Sequence, residues 1–276
     1  MLKILITGGN GNIAKIIKKN LSDIFNITNL SRTDLNVLNL KDIEEYLNNN
    51  EYDILVHTAI LGGRRTKEEN GDVTHYNLLM FENLLTFAHK FKMIINFDSA
   101  AIYDRSIDIL NRKEEDLFTI PNDYYGFSKY VIYKRSLQYQ HIFNFRIFNI
   151  FHTNEEPDRF IKSCFLAKKN DTVMNIFEDK YFDFVYEDDF IKIIQYYFDN
   201  INNIPFLEKT INICYKTKYK LSDIAKLIIQ NDKQINIINN CCSINNYSGN
   251  GLVLSKLNIC LDGLENSIFK YKNIFM

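Results

Sequence analysis

A glycine-rich turn that joins an apolar run to a helical pattern constrains this fold more than any other feature. Residues 2–6 are mostly apolar, and the run is short enough for one buried parallel strand. Glycines follow at positions 8, 9 and 11, and apolar residues then recur at helical spacing from Ile13. Such a turn lets the backbone and the free N–H groups of the next helix approach a pyrophosphate. Glycine-rich turns also join strands to helices without a ligand, so the motif alone leaves both interpretations open.

The composition narrows the classes of partner. The chain has 33 Lys and Arg against 34 Asp and Glu, so nothing indicates nucleic acid or an anionic membrane surface. Its five cysteines include one adjacent pair and no Cys-x-x-Cys, which argues against a disulfide framework or a zinc site. No run is long and uncharged enough to span a bilayer. We therefore expect a cytoplasmic protein with no bound metal, no nucleic-acid partner and no membrane partner.

Strands and helices alternate along the first part of the 276-residue chain. The predicted strands there are 24–30, 53–59, 93–97 and 143–151, and the predicted helices are 40–48, 76–90 and one that begins at residue 123. This alternation predicts an α/β fold with a parallel sheet. The later predicted elements are helices over 159–168, 190–198 and 221–230 and strands over 172–177 and 210–214. We expect a main domain over 1–155 and a small lobe over most of 156–276, with some later segments returning to the main domain.

The tip of the second predicted strand bears on the choice of dinucleotide. Residues 31–34 read Ser-Arg-Thr-Asp, so no carboxylate at the tip precedes Asp34. An acidic residue at this point bonds the ribose 2′-hydroxyl of NAD, whereas a nearby arginine suits the 2′-phosphate of NADP. Arg32 therefore favours NADP, with NAD still possible; a solvated loop charge is the alternative interpretation.

A tyrosine and a lysine share a face of the helix that begins at residue 123. Asp123 can cap this helix, and Tyr125 and Lys129 are four residues apart. A nearby ammonium lowers the pKa of a phenol and makes it a usable proton donor. The chain has 17 tyrosines, so a surface pair is the simpler interpretation of this spacing alone. His57 lies inside an apolar strand and is interpreted as a core histidine rather than a catalyst.

Several motifs stand in a fixed order along nearly the whole chain. Residues 7–14 form a TGxxGxxG-like turn with Ala14 as its last small residue, and Ser99 stands four residues before Tyr103. A Tyr-x-x-x-Lys follows at 125–129, an Arg-x-x-Asn at 146–149, and residues 182–189 read FDFVYEDD. Residues 212–225 then give a late strand and helix. This ordered set resembles the extended short-chain dehydrogenase/reductase family, the sugar-nucleotide epimerases, dehydratases and reductases.

The resemblance implies a Rossmann-type doubly wound parallel sheet with a small C-terminal substrate-binding lobe. It implies that Ser99, Tyr125 and Lys129 are catalytic. The implied cofactor-binding residues are Thr7, Gly8, Gly9, Asn10, Gly11, Asn12, Ile13, Ser31, Arg32, Asn36, Val37, Thr58, Ala59, Asn77, Tyr125 and Lys129. The implied substrate-binding residues are Gly62, Gly63, Ser99, Ala100, Asn149 and Arg159. It also implies a homodimer built from the helices over 76–90 and 123–139, whose apolar residues occupy more than one face.

Within this family the chain looks most similar to the GDP-fucose synthases and the dTDP-4-dehydrorhamnose reductases. Residues 60–63 resemble the AAxVGG segment of the former, and residues 31–36 resemble the second-strand tip of both. Ala100 and Ala101 follow Ser99, where the dehydratases carry Asp and Glu. Phe182 stands where many relatives hold an arginine that binds the diphosphate. The epimerisation acids of the fucose synthases are replaced by Ala101 and Arg159, which leaves His152 as a spare candidate acid.

These matches predict an NADPH-dependent reductase of a nucleotide-linked keto-sugar, with the keto group at C4, in sugar-nucleotide or surface-polysaccharide biosynthesis. One alternative is a sugar-nucleotide 4-epimerase that retains its NAD. Another is a catalytically silent NADP-binding regulator, against which the intact set of Ser99, Tyr125 and Lys129 speaks.

Overall fold

Short strands alternate with helices in the computed structural model, which describes residues 1–63, 68–238 and 245–275. The strands within these residues are β1 (Lys3–Thr7), β2 (Asn26–Leu30), β3 (Ile54–His57), β4 (Met93–Ser99), β5 (Ile109–Arg112), β6 (Ile142–Ile147), β7 (Ile150–Phe151), β8 (Met174–Ile176), β9 (Val185–Tyr186), β10 (Thr210–Ile213), β11 (Ile235–Ile237) and β12 (Tyr247–Gly249). The α-helices are α1 (Asn12–Leu21), α2 (Leu40–Asn49), α3 (Gly71–Leu85), α4 (Tyr124–Ser136), α5 (Phe160–Asn170), α6 (Glu187–Asp199), α7 (Leu221–Ile229), α8 (Leu252–Ser255) and α9 (Gly263–Phe275).

Six of these strands form a parallel sheet in the order β2-β1-β3-β4-β6-β10. β1 lies between β2 and β3, and its last residue, Thr7, stands opposite Leu30 and His57. The strand order therefore reverses at β1. Sheets of this kind bind ligands beyond the carboxyl ends of their strands at such a reversal. The glycine-rich turn leaves the sheet at this position.

The inner strands of the sheet, such as β1 and β3, are mainly apolar because the sheet is covered on both faces. Leu5 and Ile94 are buried in a cluster with side chains of α2, α3 and α4. Ile4 is also fully buried, and it faces the opposite side because successive side chains of a strand alternate. On that second side the ring of Phe145 contacts Tyr197 of α6, with centroids 4.6 Å apart. The structure thus has the doubly wound arrangement predicted from the sequence.

Local hydrogen bonds move two predicted boundaries. The strand predicted over 24–30 begins only at Asn26, because the amides of Ile24 and Phe25 donate to the Leu21 carbonyl at the end of α1. The helix predicted over 76–90 begins at Gly71, because the side chain of Asn70 accepts a hydrogen bond from the Asp72 amide and caps it. That helix ends at Leu85, and a separate 3-10 turn follows over Ala88–Lys90.

The strand predicted over 143–151 is wrong as a single element. β6 ends at Ile147, and the chain then leaves the main sheet. The amide of Val185 donates to the Asn149 carbonyl at 2.9 Å, and β7 pairs with β9 instead. An apolar run of this length is therefore shared by two sheets.

The described chain groups into two compact units built from interleaved segments. The first contains Met1–Asp104, Leu117–Arg146 and Ile193–Ile211, and the second contains the segments between and after these. Lys209 ties the last segment of the first unit to an earlier one. Its Nζ donates to the carbonyl oxygens of Tyr139, Gln140 and Ile142 at 2.6, 2.8 and 2.5 Å.

The second unit is held by short ladders and by one buried carboxylate. Among the described residues, its two-stranded pairs are β5 with β12, β7 with β9, and β8 with β11. Asp189 accepts hydrogen bonds from the amides of Asp262 and Gly263, where α9 begins, and from the Tyr215 hydroxyl. These bonds fix the start of a helix that the hydrophobic pattern did not predict.

Three of the five cysteines lie within the described residues. Cys164, Cys214 and Cys260 are free thiols, and Cys241 and Cys242 lie outside the described residues. Within the described ranges, no helix combines the length and the apolar character needed to cross a membrane.

Candidate active site

The glycine turn after β1 leaves no room for a side chain at Gly8. Gly8 has φ +75°, and a Cβ atom there would lie 2.6 Å from the Ala59 backbone nitrogen. The amide of Gly9 donates to the Leu30 carbonyl at 2.7 Å, and the amide of Gly11 donates to the Gly8 carbonyl at 2.9 Å. Asn29, which sequence reasoning missed, holds the same turn by donating from Nδ2 to the Gly9 carbonyl at 3.0 Å.

The N-terminus of α1 can accept an anion. Its N-cap is Gly11, and no side chain caps the first turn. The first turn holds no acidic residue, whereas Lys18 and Lys19 lie in the last turn. The first backbone N–H groups of an uncapped helix suit phosphate. Asn10 and Asn12 are exposed beside them, so the turn fits the diphosphate of a dinucleotide.

Polar side chains form hydrogen bonds at the carboxyl ends of β1 and β3. The Thr7 hydroxyl and His57 Nδ1 share a buried hydrogen bond of 2.9 Å, and the Thr58 hydroxyl donates to the Thr7 carbonyl at 2.6 Å. Burial, followed by the nearby charge of Lys129, lowers the pKa of His57 to about 3, so this ring is neutral. The structure therefore confirms His57 as a core histidine.

The predicted ribose-binding turn is ordered by Asp34. Its Oδ2 accepts hydrogen bonds from the Ser31 amide at 2.9 Å and the Ser31 hydroxyl at 2.6 Å, and these bonds lower its pKa. Arg32 is exposed, and Asn36 is half-buried. Val37 is buried, and its carbonyl accepts a hydrogen bond from Asn83. An open cavity of about 370 Å³ borders this turn, lined by Arg32 and also by acidic residues of α2.

Tyr125 and Lys129 lie on one face of α4, as their spacing predicts. Asp123 caps this helix by accepting a hydrogen bond from the Gly126 amide at 2.7 Å. Lys129 Nζ stands 5.8 Å from the centroid of the Tyr125 ring and donates to the Phe97 carbonyl at 2.5 Å. The pair is therefore not a surface pair, because Lys129 is buried.

Gly62 and Gly63 fit the ring of Tyr125 and the start of α3. Both have positive φ, at +78° and +87°. A Cβ atom on Gly63 would lie 2.9 Å from Tyr125 Cζ, so the backbone packs directly against the phenol ring. The amide of Gly63 donates to Glu69 Oε1 at 2.6 Å. Only glycine meets both requirements at position 63.

Ser99 ends β4 beside the first turn of α4. Its hydroxyl accepts a hydrogen bond from the Ala101 amide at 3.2 Å and caps the 3-10 turn Ala100–Tyr103. A Cβ atom on Gly126 would lie 2.8 Å from the Ala101 carbonyl, so this turn touches α4 next to Tyr125. The structure thus brings Ser99, Tyr125 and Lys129 to one edge of the sheet.

Burial sets the protonation of Lys129. Desolvation lowers its pKa to about 8, and the charge of Asp98 opposes that shift. Sequence reasoning singled out neither Asp98 nor its partner Arg146 as part of the site. A charged residue inside an apolar strand is the signal that could have found Arg146, since such a charge needs a buried partner.

Asn77, predicted to bind cofactor, lies fully buried in α3. Its Oδ1 accepts from the Leu61 amide, and its Nδ2 bonds the Leu61 carbonyl and the Ser128 hydroxyl. The side chain therefore positions the segment that leads to Gly62.

The remaining predicted substrate residues belong to the second unit. Asn149 is half-buried, and its Oδ1 is a buried acceptor without a hydrogen-bond partner among the described residues. Arg159 is exposed at the N-cap of α5. The ring of Phe182 contacts those of Phe184 and Tyr247, with centroids 4.9 and 5.2 Å away. In the described part of the chain, no three His, Cys, Asp or Glu side chains form a metal-binding group.

Solved structures share this architecture across the whole chain. A dTDP-4-dehydrorhamnose reductase from Clostridium acetobutylicum is 16% identical, with 99% of each chain covered and a TM-score of 0.80. A GDP-mannoheptose C4 reductase from Campylobacter jejuni, with NADP bound, is 16% identical, with 99% and 98% covered and a TM-score of 0.78. A UDP-N-acetylglucosamine 4-epimerase from Bacillus cereus is 20% identical, with 100% and 99% covered and a TM-score of 0.78. At these identities the likeness establishes the fold.

The sequence itself gives the family. No curated protein sequence matches the chain, but a family model does. The model of the NAD dependent epimerase/dehydratase family matches residues 4–214, which include the glycine turn, Ser99, Tyr125 and Lys129. Because this model matches most of the chain, the chain belongs to the NAD dependent epimerase/dehydratase family.

Proposed function

We propose that this protein is an NADPH-dependent reductase that reduces a nucleotide-linked keto-sugar at C4. The observation that carries the proposal is the buried Lys129, which stands 5.8 Å from the Tyr125 ring centroid and is held by the Phe97 carbonyl two residues before Ser99. Two of the similar structures are themselves named as reductases of this type, a dTDP-4-dehydrorhamnose reductase and a GDP-mannoheptose C4 reductase.

The three residues have complementary roles in this proposal. The hydroxyls of Ser99 and Tyr125 hold the oxygen of the substrate carbonyl. Tyr125 donates its phenol proton to that oxygen as negative charge develops there. Lys129, charged below about pH 8, stabilises the phenolate that remains and bonds the nicotinamide ribose. Bound NADPH supplies the hydride.

The cofactor proposal follows from the fit of the glycine turn and from Arg32. The uncapped start of α1 would hold the diphosphate, and the cradle at Gly8 leaves no space for a side chain. Asp34, the acid of the ribose-binding turn, is already bonded to Ser31. Arg32 is exposed at the same turn and suits a 2′-phosphate better than a free 2′-hydroxyl.

Residues of the second unit are proposed to bind the substrate. Asn149 offers a buried acceptor without a partner among the described residues, and Arg159 offers a cation that suits a nucleoside diphosphate. Phe182 replaces the arginine that many relatives use for that group, so this chain would bind the diphosphate with fewer charged contacts.

The decisive experiment measures NADPH consumption with a panel of GDP-, dTDP-, CDP- and UDP-linked 4-keto-sugars. Turnover of one member is expected for the wild type. Tyr125→Phe should lower that turnover by about 10²–10⁴-fold, the usual contribution of a general acid. NADPH affinity should change little, because the phenol hydroxyl serves the substrate. Wild-type turnover by Tyr125→Phe would contradict the assignment.

A 4-epimerase is the second candidate, because the UDP-N-acetylglucosamine 4-epimerase shares the fold at a TM-score of 0.78. An epimerase of this kind re-reduces the sugar that it has oxidised, so it copurifies with its dinucleotide and consumes no added NADPH. The reductase should also leave the neighbouring carbons untouched. Solvent deuterium at C3 or C5 of the product would instead indicate a combined epimerase and reductase and would direct attention to His152.

A further inference from the structure

A fully buried ion pair adjoins the candidate catalytic residues. Arg146 Nε on β6 donates to Asp98 Oδ2 on β4 at 2.8 Å, and neither side chain has any exposure. Arg146 Nη1 also donates to the Tyr103 hydroxyl at 2.6 Å. The guanidinium lies 4.6 Å from the ring centroid of Tyr103 and 5.0 Å from that of Tyr133. Hydrogen bonds and flanking rings thus hold this arginine in one orientation.

Asp98 stands between the two residues that serve the site from β4. The carbonyl of Phe97 accepts a hydrogen bond from Lys129 Nζ at 2.5 Å, and the hydroxyl of Ser99 is the predicted substrate contact. The second carboxylate oxygen of Asp98, Oδ1, accepts a hydrogen bond from the Ser99 amide at 2.7 Å. One carboxylate therefore connects the backbone of Ser99 to Arg146.

The ion pair lies where the end of β4 extends past one of its two neighbouring strands. The register of β4 with β3 ends at the pair of Asn96 and His57, so Phe97, Asp98 and Ser99 extend beyond that neighbour. The ion pair ties this extension to the strand on the other side, β6. A change in the direction of this end of β4 would move the Phe97 carbonyl and the Ser99 hydroxyl together.

The charge of Lys129 depends on groups from neighbouring strands. His57 on β3 is neutral, because burial lowers its pKa to about 3. Tyr125 contributes a phenol from the same helix as Lys129. Asp98 on β4 contributes a negative charge, and Arg146 on β6 is a second buried cation bound to it. Without the Asp98 charge, two buried cations would remain near the candidate site.

We infer that Asp98 and Arg146 are positioning residues. The pair fixes the end of β4 so that Ser99 and Lys129 meet the substrate and Tyr125 in one geometry. Asp98 directly follows Phe97, whose carbonyl binds Lys129 Nζ, and its negative charge favours the ammonium form of that lysine. This inference rests on the proposed function for its kinetic consequences, but the charge state of Lys129 can be measured without any substrate.

Three substitutions distinguish the positional role of the ion pair from the effect of the Asp98 charge on Lys129. Asp98→Asn removes the charge and retains an acceptor for the Ser99 amide. It should lower kcat and move the alkaline limb of the pH profile down by about one pH unit or more, since Lys129 then loses its proton earlier. Asp98→Glu keeps the charge but displaces it by one methylene, so kcat should fall while the alkaline limb stays. Arg146→Lys keeps a cation without the planar bonding and should resemble Asp98→Glu.

Asp53 provides a matched control at the opposite end of the strands, because it directly precedes β3. Its Oδ2 accepts a hydrogen bond from the Lys3 amide at 3.0 Å, and its Oδ1 accepts one from Lys92 Nζ at 2.9 Å. It therefore combines one backbone amide and one cation, as Asp98 does. Asp53→Asn should leave both kcat and the pH profile unchanged, even where it lowers the melting temperature.

The titration of Lys129 is followed by NMR on protein with isotope-labelled lysine, with Lys129→Met to assign the signal. Its midpoint should fall in Asp98→Asn and remain near the wild-type value in Asp53→Asn. An unchanged midpoint, or wild-type kcat in Asp98→Asn, would overturn the inference.

Where Asp98→Asn does not fold, wild-type kcat in both Asp98→Glu and Arg146→Lys would overturn it equally. A wild type that reduces no keto-sugar would contradict the proposed function, whereas the NMR titration would still test the ion pair.

Discussion

At the scale of single residues, we expect the preference between NADPH and NADH to depend on one exposed arginine. Arg32 stands in a turn whose acid, Asp34, is bonded to the amide and hydroxyl of Ser31. That carboxylate is therefore less available to bond a ribose hydroxyl. A phosphate on the ribose would instead meet a guanidinium.

Arg32→Ala should narrow the gap between the two cofactors. A charge-assisted contact between arginine and phosphate contributes about 1.5–3 kcal/mol, which corresponds to at least about a tenfold difference in affinity. Titration of wild type and variant with NADPH and NADH measures the gap. Lys41→Ala removes an exposed charge from the nearby α2 and serves as the control. Equal affinity of the wild type for both cofactors would remove the basis of the NADP assignment.

Residue spacing predicts the pairing of Tyr125 with Lys129 but not the contact of Asp98 with Arg146. Tyr125 and Lys129 are four positions apart on one helix, so helical periodicity alone places them together. Asp98 and Arg146 are 48 positions apart, and only the order of strands in the sheet brings them into contact. No local pattern contains that information, although an arginine within an apolar run signals that a buried partner exists.

At the scale of elements, the turn between β1 and α1 is set by steric contact. Gly8 has φ +75°, and an added Cβ would lie 2.6 and 2.7 Å from backbone atoms of Ala59. Backbone atoms cannot move aside as a flexible side chain can. The approach of β1 to the segment after β3 therefore requires glycine at this position.

Gly8→Ala should lower the free energy of unfolding by more than about 1 kcal/mol and weaken NADPH binding. Gly71→Ala is the matched control, because a Cβ atom at Gly71 meets nothing within 4 Å and its φ is not positive. That control should be neutral or slightly stabilising, by up to about 1 kcal/mol. Denaturant unfolding of both variants measures the difference, and equal stabilities would refute the steric argument.

The sequence predicts those strands and helices that are long enough to show a hydrophobic period. Most strands of the main sheet are mainly apolar runs because helices cover both faces. β7 and β9 have two residues each, too few to show alternation. β5 pairs with β12 through Ile109 and Tyr247, which lie far apart in the chain. Such ladders depend on contacts that a local pattern does not contain.

At the scale of the whole molecule, α3 and α4 retain apolar surface after they pack on each other. Phe81 on α3 and Tyr133 on α4 are buried within the chain. Leu79 and Val131 are only half-buried, and Leu137 is 45% exposed. We expect this surface to be covered by the same helices of a second copy, which gives a homodimer.

Val131→Glu should convert that dimer to a monomer, because a carboxylate would be buried without a partner at the interface. Light scattering at micromolar concentration measures the mass. Phe206→Glu changes an apolar residue that is 88% exposed and lies outside both helices, so it should leave the dimer intact. A monomeric wild type would contradict the expectation.

The interleaved segments of the two units bear on how the chain is made. The first unit needs Ile193–Ile211 for its outermost strand and for Lys209, which bonds the carbonyl oxygens that follow α4. A ribosome completes all of Ile147–Lys192, which belong to the second unit, before it reaches that segment. During this interval β6 is an unpaired edge, and an unpaired edge invites pairing with other chains. The nascent protein therefore carries an aggregation-prone edge that closes only after residue 213, the last residue of β10, has left the ribosome.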